Sequence, residues 1–407
     1  MSRVAINAAW LLLAQIGGLL IPLIELPVLA RALEQQAYGQ VLYALGIAMT
    51  AAVFVEFGFT FSAARRVVAA KGDRRLLGQL VADVLLAKLM LSATVALVLT
   101  TIMLSGTGAT SIPGHWFIWI ALFIVAFGFS PMWYYFGVEK LMLPAILDLA
   151  LRGSGLLLVI LLVSTPQHAQ RVLTIQATVG IVNTLIPTLL MLRRTGIGRF
   201  HLRGALKVLR ESWELFLYKG AQAVMGSIAS TMLGGLGGAR AVGAFVPAEK
   251  LVRAATGLSG PLLNAAFPHL VRMQESSAIA AKKVVTLWLM ALALITLLFA
   301  ALATWLAPWV VKLAFGTGYS DAIGLLRMLV WIVPLRVCSM AMAILWFIPA
   351  GLEQIASRAM MLNIALICVL AILLVPGMGG TGMTIAFFCA ESIMCITLIY
   401  FFTKKTI

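Results

Sequence analysis

Long apolar runs dominate the chain, and polar residues gather in short clusters between them. "VVTLWLMALALITLLFAALATWLA" is one such run, longer than the roughly 20 apolar residues a helix needs to cross a bilayer. With no water in the hydrocarbon core, a run of this kind must satisfy its own backbone as a helix or join a closed barrel. Barrel strands would alternate apolar and polar residues over about 10 positions. These runs do not alternate, so they predict helices. Twelve spans are expected, at about 8–30, 39–62, 78–104, 116–136, 142–163, 171–192, 213–234, 243–266, 284–307, 323–347, 358–376 and 380–402. The first run continues to about Ala30 and offers no convincing small-residue cleavage site, so it reads as an uncleaved span, not a signal peptide.

Composition agrees. Hydrophobic residues make up 62% of the chain and charged residues only 11%, with a mean hydropathy of +1.05. A soluble protein carries about 25% charged residues, so a soluble globule is excluded. Charge then orients the spans. Of the 30 Lys and Arg, 19 fall at the termini and in connections on their side, 4 on the opposite side and 7 within spans. By the positive-inside rule both termini are cytoplasmic. The net charge of +16 follows topology, and nucleic-acid binding is not implied. The longest basic connection is "RRTGIGRFHLRGALKVLRES", residues 193–212. Leu202, Leu206 and Leu209 recur there at helical spacing, and Arg203, Lys207 and Arg210 fall on another face. This suits a helix lying on an anionic inner leaflet; the alternative is a plain basic linker. The connection separates residues 1–195, with six spans, from residues 213–407, with six more, leaving 196–212 as linker. Six is even, so both halves enter the membrane in the same orientation, as parallel pseudo-repeats would.

Charged side chains inside the spans carry the candidate chemistry, because they are costly there and usually face a bundle interior or an aqueous cavity. Seven bases (Lys88, Arg152, Lys219, Lys250, Arg253, Arg327, Arg336) and seven acids (Glu25, Glu56, Asp83, Asp148, Glu214, Glu249, Glu391) lie within the expected spans. Asp148 and Arg152 are four residues apart and can pair on one helix face, as can Glu249 and Arg253. At 1.5 Å per residue, Lys88, Lys250, Arg253 and Arg336 fall near the middle of the membrane with Glu249 and Glu391. This central belt leans positive. Glu249 can answer only part of the charge of Lys250 and Arg253, so Lys250 is expected to face a water-filled cavity that receives an anion. A pair with an acid on another span, such as Glu391, is the other arrangement. Glu25 and Glu391 are candidates for ion coupling. Pro22 and Pro27, in "GGLLIPLIELP", remove helical hydrogen bonds and are candidate gating positions, or simply a static kink. The four cysteines all sit in apolar runs and read as packing residues. Signals for an enzyme are poor. His115, His168, His201 and His269 are scattered, no metal-site motif occurs, and "GMGGTG" joins two spans and reads as a turn.

Four stretches, in order and in register, resemble one family. "LARALEQQAYGQVLYALG", "EFGFTFSAARRVV", "WYYFGVEKLML" and "VGAFVPAEKLVRA" are similar to segments of the Wzx-type O-antigen flippases, polysaccharide repeat-unit transporters of the multidrug/oligosaccharidyl-lipid/polysaccharide exporter (MOP) superfamily. One departure is "LEQQAYG", which lacks the family's Leu-Gly-Pro turn. The resemblance implies an all-α integral membrane protein of twelve transmembrane helices, in two six-helix lobes around a central cavity that opens alternately to either side. It implies no enzyme activity and no cofactor beyond coupling to a proton or sodium gradient. Its substrate would be an oligosaccharide on undecaprenyl pyrophosphate, moved from the cytoplasmic to the periplasmic leaflet of the bacterial inner membrane. Its partners would be membrane lipids and the polysaccharide polymerase with its chain-length machinery. By the same resemblance Lys250 and Arg253 become substrate contacts, with Lys88 and Arg336 added from depth alone. Rival readings are a drug/cation antiporter of the same superfamily, which would favour an acidic cavity; a lipid II flippase, which usually carries two further helices; and a membrane polymerase. The last would need a large outside loop, and the outside connections here are only about 10 to 15 residues.

Overall fold

The computed structural model describes the backbone of residues 3–70, 72–104 and 112–404, and their side chains except those of 3–16, 19, 103–104, 214, 217–219 and 221–223. Glu214 and Lys219 therefore lie outside the described side chains. The described chain is helical, with no strand. It divides into two compact units, Met1–Gly235 and Leu236–Ile407. The first holds α1 (Arg3–Glu56), α2 (Phe59–Ala69), α3 (Arg74–Leu104), α4 (Phe117–Gly128), α5 (Met132–Gly137), α6 (Met142–Leu162), α7 (Ala169–Thr195) and α8 (Leu202–Val224). Helix α9 (Ile228–Gly257) begins in the first unit and runs into the second. There it is followed by α10 (Ser259–Ser276), α11 (Ala278–Phe315), α12 (Ser320–Leu329), α13 (Ile332–Met342) and α14 (Glu353–Lys404).

Among the described residues, eight helical stretches are long and apolar enough to cross a membrane, so this is a multi-pass membrane protein. Two of them, Leu20–Ala69 and Glu353–Lys404, run to 50 and 52 residues. Straight, each would be about 75 Å long, against roughly 30 Å of hydrocarbon. Each is broken instead: α1 at Glu34 (φ 60°) and α14 at Gly379 (φ 53°). Counting those two stretches twice accounts for ten of the twelve expected spans. The other two fall on α8 to α10: α9 is itself broken at Gly238 (φ 79°), so the expected seventh span covers the end of α8 and the start of α9, and the eighth covers the rest of α9, with Glu249, Lys250 and Arg253, and the start of α10. The break at Gly379 falls within "GMGGTG", where a turn is expected. The break in α1 falls in the connection expected between the first two spans, at 31–38. Pro22 and Pro27 lie inside the helix, and the non-helical residue is Glu34.

Inside the first unit, α1 packs on α4 and α6, α4 on α7, and α2 on α5. The start of α2 shows why the sequence folds this way. Gly58 sits at φ 73°, and a Cβ there would approach the Phe216 backbone nitrogen to 3.0 Å. Only glycine accepts both conditions easily. The Glu56 carboxylate accepts from Gly58 N at 2.9 Å and Thr60 N at 2.7 Å, satisfying helix-start donors that lack intrahelical partners. Helix α8 packs along α3. The surface helix expected over the linker and the start of the seventh span are one element. Its Ala205, Val208 and Ser212 are buried, while Leu202 and Leu206 stay exposed beside Arg203, Lys207 and Arg210. Gly204 packs against the Asp83 carboxylate with no room for a side chain. Gly198 N donates to Gly78 O at 2.8 Å, and Gln79 Nε2 to Arg199 O at 2.8 Å. The basic connection is thus stitched to α3.

In the second unit, α11 packs on α12 and α13, and α13 on α14. Ser277 caps α11 by accepting from Ala280 N at 3.3 Å. Gly316, at φ 89°, closes it with a hydrogen bond to Lys312 O. The four cysteines are free thiols.

Candidate functional site

Most of the charge expected at mid-membrane meets in the second unit, on α9, α13 and α14. Helix periodicity places Glu249 and Arg253 on one face of α9. The Arg253 guanidinium grips the Glu249 carboxylate with three hydrogen bonds: Nη2 to Oε1 and to Oε2, both at 2.8 Å, and Nε to Oε1 at 3.1 Å. From α13, Arg336 places Nη1 3.8 Å from Glu249 Oε1 and donates from Nε to Glu391 Oε1 of α14 at 2.7 Å. The sequence Arg253–Glu249–Arg336–Glu391 therefore alternates in charge across three helices. Both carboxylates are deeply buried, with side-chain exposures of 3% and 4%. Arg336 is 19% exposed and lies over the Phe387 ring, its Cζ 5.7 Å from the centroid. Phe245 packs on the far part of that cluster, 5.9 Å from Phe387. Arg253 is the accessible end, at 40% exposure. Lys250, next to Glu249 on α9, is half-buried and adds a fifth charge.

The remaining expected residues lie in the first unit. Lys88 of α3 is 1% exposed, donates to Ser130 O at 3.0 Å and lies 5.8 Å from the centroid of Phe59. Glu25 of α1 accepts from Gln176 Nε2 of α7 at 2.7 Å. Asp148 and Arg152 form the expected pair on α6 at 2.8 Å, and Asp148 also accepts from Asn183 of α7 at 2.9 Å. Asp148 and Arg152, with Asn183 and Thr184, line a separate cavity of about 250 Å³ between α4, α6 and α7.

The arrangement in the second unit can bind an anion. A guanidinium presents two parallel N–H groups that fit a carboxylate or a phosphate equally well. Arg253 already uses that fork on Glu249, and it is partly exposed. The hub of the cluster is Glu249, which sequence reasoning treats only as a neighbour for Arg253. Its contact with Arg336 joins positions 87 residues apart, and no spacing rule reaches that far.

Residues 4–274 match the family model described as "Polysaccharide biosynthesis protein". The chain belongs to the polysaccharide biosynthesis protein family. The resemblance to the repeat-unit flippases, drawn from four short stretches, is borne out. A Shigella dysenteriae protein named "Putative O-antigen transporter" is 24% identical over 397 residues, covering 97% of this chain and 98% of its own. An Escherichia coli K12 protein of the same name is 23% identical over 326 residues, covering 78% and 77%. Among solved structures, the lipid II flippase MurJ in an inward closed conformation superposes with a TM-score of 0.65 at 12% identity, over 97% of this chain and 87% of that one. An inward-facing multidrug resistance MATE family transporter of the MOP superfamily gives 0.62 at 15% identity, over 98% and 97%. At these identities the likeness shows the fold: this polysaccharide biosynthesis protein has the all-α membrane fold of MOP-superfamily transporters.

Proposed function

We propose that this protein is a flippase that carries undecaprenyl-pyrophosphate-linked oligosaccharide repeat units from the cytoplasmic to the periplasmic leaflet of the bacterial inner membrane. It would do so by exposing one site alternately to the two sides, with both termini in the cytoplasm. The observation that carries this reading is the Arg253 fork: a bidentate, partly exposed guanidinium on α9, with Lys250 three residues before it. A pyrophosphate needs such donors to leave water, and burial strengthens each contact. Family membership and the name of the two relatives support the same substrate class. On this reading Lys250 and Arg253 contact the pyrophosphate, and Arg336 and Lys88 support it. Glu25 and Glu391 are the acids through which a proton or sodium gradient would act, and Pro22 and Pro27 would help α1 bend. The polysaccharide polymerase and its chain-length machinery would receive the product. The protein itself would break no covalent bond.

The test is to delete the gene and ask on which leaflet the lipid-linked repeat unit accumulates. Build-up on the cytoplasmic leaflet with loss of long surface polysaccharide is expected. The double variant Lys250→Ala, Arg253→Ala should fail to restore it while reaching the membrane in normal amount. Normal polysaccharide in that double variant would sink the assignment of these two residues. Unchanged polysaccharide with new drug sensitivity in the deletion strain would favour the drug antiporter instead.

A further inference from the structure

Glu249 is the most heavily engaged acid of the cluster. Both of its oxygens face Arg253, and Oε1 also faces Arg336 at 3.8 Å. A carboxylate and a phosphate ask the same geometry of a guanidinium fork. The donors that a substrate pyrophosphate would use on Arg253 are therefore already filled by a side chain of the protein.

We propose that Glu249 is a resident substitute for the substrate anion. It occupies the Arg253 fork when no substrate is bound and yields it on binding, so it sets how tightly the pyrophosphate is held and helps eject it. The inference rests on the reading of Arg253 as a pyrophosphate contact. Two features of the geometry support the exchange. First, Glu249 would not be stranded when displaced. A buried carboxylate stripped of every partner is strongly unfavourable, but Arg336 lies within 4 Å on the neighbouring helix. A small side-chain rotation would convert that 3.8 Å approach into a direct ion pair. Second, Arg336 can take on the extra acid because it stands between two carboxylates and holds Glu391 at 2.7 Å through a different nitrogen. The transporter also needs such a competitor. An unopposed guanidinium in a low-dielectric site would hold a pyrophosphate too well to release it, and a transport site must bind loosely enough to let go.

The test uses the full-length protein in nanodiscs of zwitterionic lipid, with inorganic pyrophosphate as the probe and titration calorimetry as the readout. Glu249→Gln keeps the size of the side chain but removes its claim on the fork, and pyrophosphate affinity should rise about tenfold or more. Arg253→Ala should lose binding. In cells, Glu249→Gln should slow delivery of repeat units although it binds the probe more tightly, because release suffers. Unchanged or weaker binding in Glu249→Gln, with Arg253→Ala still defective, would overturn the inference and leave the substrate site standing; Glu249 would then be a positioning residue for Arg253. If Arg253→Ala binds pyrophosphate as well as the wild type, the site reading falls and the inference with it. Should Glu249→Gln not fold, Glu249→Asp serves. Its shorter carboxylate retracts from the fork, so intermediate tightening supports exchange and none overturns it.

Discussion

The two units handle buried charge differently. In the first, charges are answered in small separate groups: Arg152 by Asp148 one turn away, Glu25 by Gln176, and Lys88 by the Ser130 carbonyl and the face of Phe59. In the second, four charges on three helices answer one another in sequence, with Arg336 shared between two acids. Both solutions satisfy the rule that a charge inside a membrane protein needs a partner. They differ in what can change. The Asp148–Arg152 pair lies on one helix and reaches a single neighbour, α7, through Asn183. A chain across helices couples any event at Arg253 to the contact between α13 and α14. On the proposed function, the second unit is the one that would register a bound anion.

The sharpest way to break this contrast is at Arg336. Arg336→Ala would strip Glu391 of its guanidinium and deprive Glu249 of its second neighbour, leaving buried negative charge uncompensated. A loss of about 3–5 kcal/mol is expected, seen as a large fall in melting temperature and in folded yield in detergent. Arg336→Lys should recover only part of it, since a single ammonium cannot span two carboxylates as a fork does. A variant as stable as the wild type would mean that the alternating chain does not hold the second unit together. The next largest effect belongs to the first unit. Gly204→Val would drive a side chain into the Asp83 carboxylate where α8 lies on α3. A cost of about 1–3 kcal/mol is expected, with faster proteolysis of residues 196–201; an unchanged digestion pattern would show that the stitched connection is looser than these contacts suggest.

These sites also show what a reader of the sequence can and cannot see. Apolar runs expose the membrane helices directly, because hydrocarbon tolerates little else. The Asp148–Arg152 and Glu249–Arg253 pairs are legible because both partners fall one helical turn apart. Arg336 meeting both Glu249 and Glu391 is not, because helix packing alone sets it. The break in α1 at Glu34 falls in the connection between the expected spans 8–30 and 39–62, within the stretch "LARALEQQAYGQVLYALG", while Pro22 and Pro27 stay inside the helix. Of the four stretches that resemble the flippase family, three mark architecture. One holds this break, one holds the Glu56–Gly58 start of α2, and "WYYFGVEKLML" packs Gly137 against Val67 of α2. Only "VGAFVPAEKLVRA" carries the charged site. A resemblance can therefore identify the family correctly while most of its motif residues speak of folding.

A smaller effect is expected at Arg152. In Arg152→Ala, Asp148 keeps the Asn183 amide at 2.9 Å, so the loss should be about 1 kcal/mol, a shift of a few degrees by thermal unfolding. A loss as large as that of Arg336→Ala would erase the distinction between local and shared pairing.

Lys88→Met should change stability least, and it separates packing from function. Methionine is close to lysine in length and fills the same buried space without a charge to desolvate. Removing the ammonium forfeits its hydrogen bond to Ser130 O and its approach to Phe59. An orphaned carbonyl costs about 1–3 kcal/mol, while sparing a buried cation its desolvation returns a similar amount. The two nearly cancel, so melting should stay within about 1 kcal/mol of the wild type. Transport is then the deciding readout. If Lys88 reaches the substrate at some stage of the cycle, Lys88→Met will melt normally and still fail to restore surface polysaccharide to a deletion strain. If it restores polysaccharide fully, Lys88 is a packing residue with a charged tip, and the anion-handling residues are confined to the cluster around Glu249. The near-cancellation in stability lets a transport defect in this variant be read as chemistry and not as misfolding.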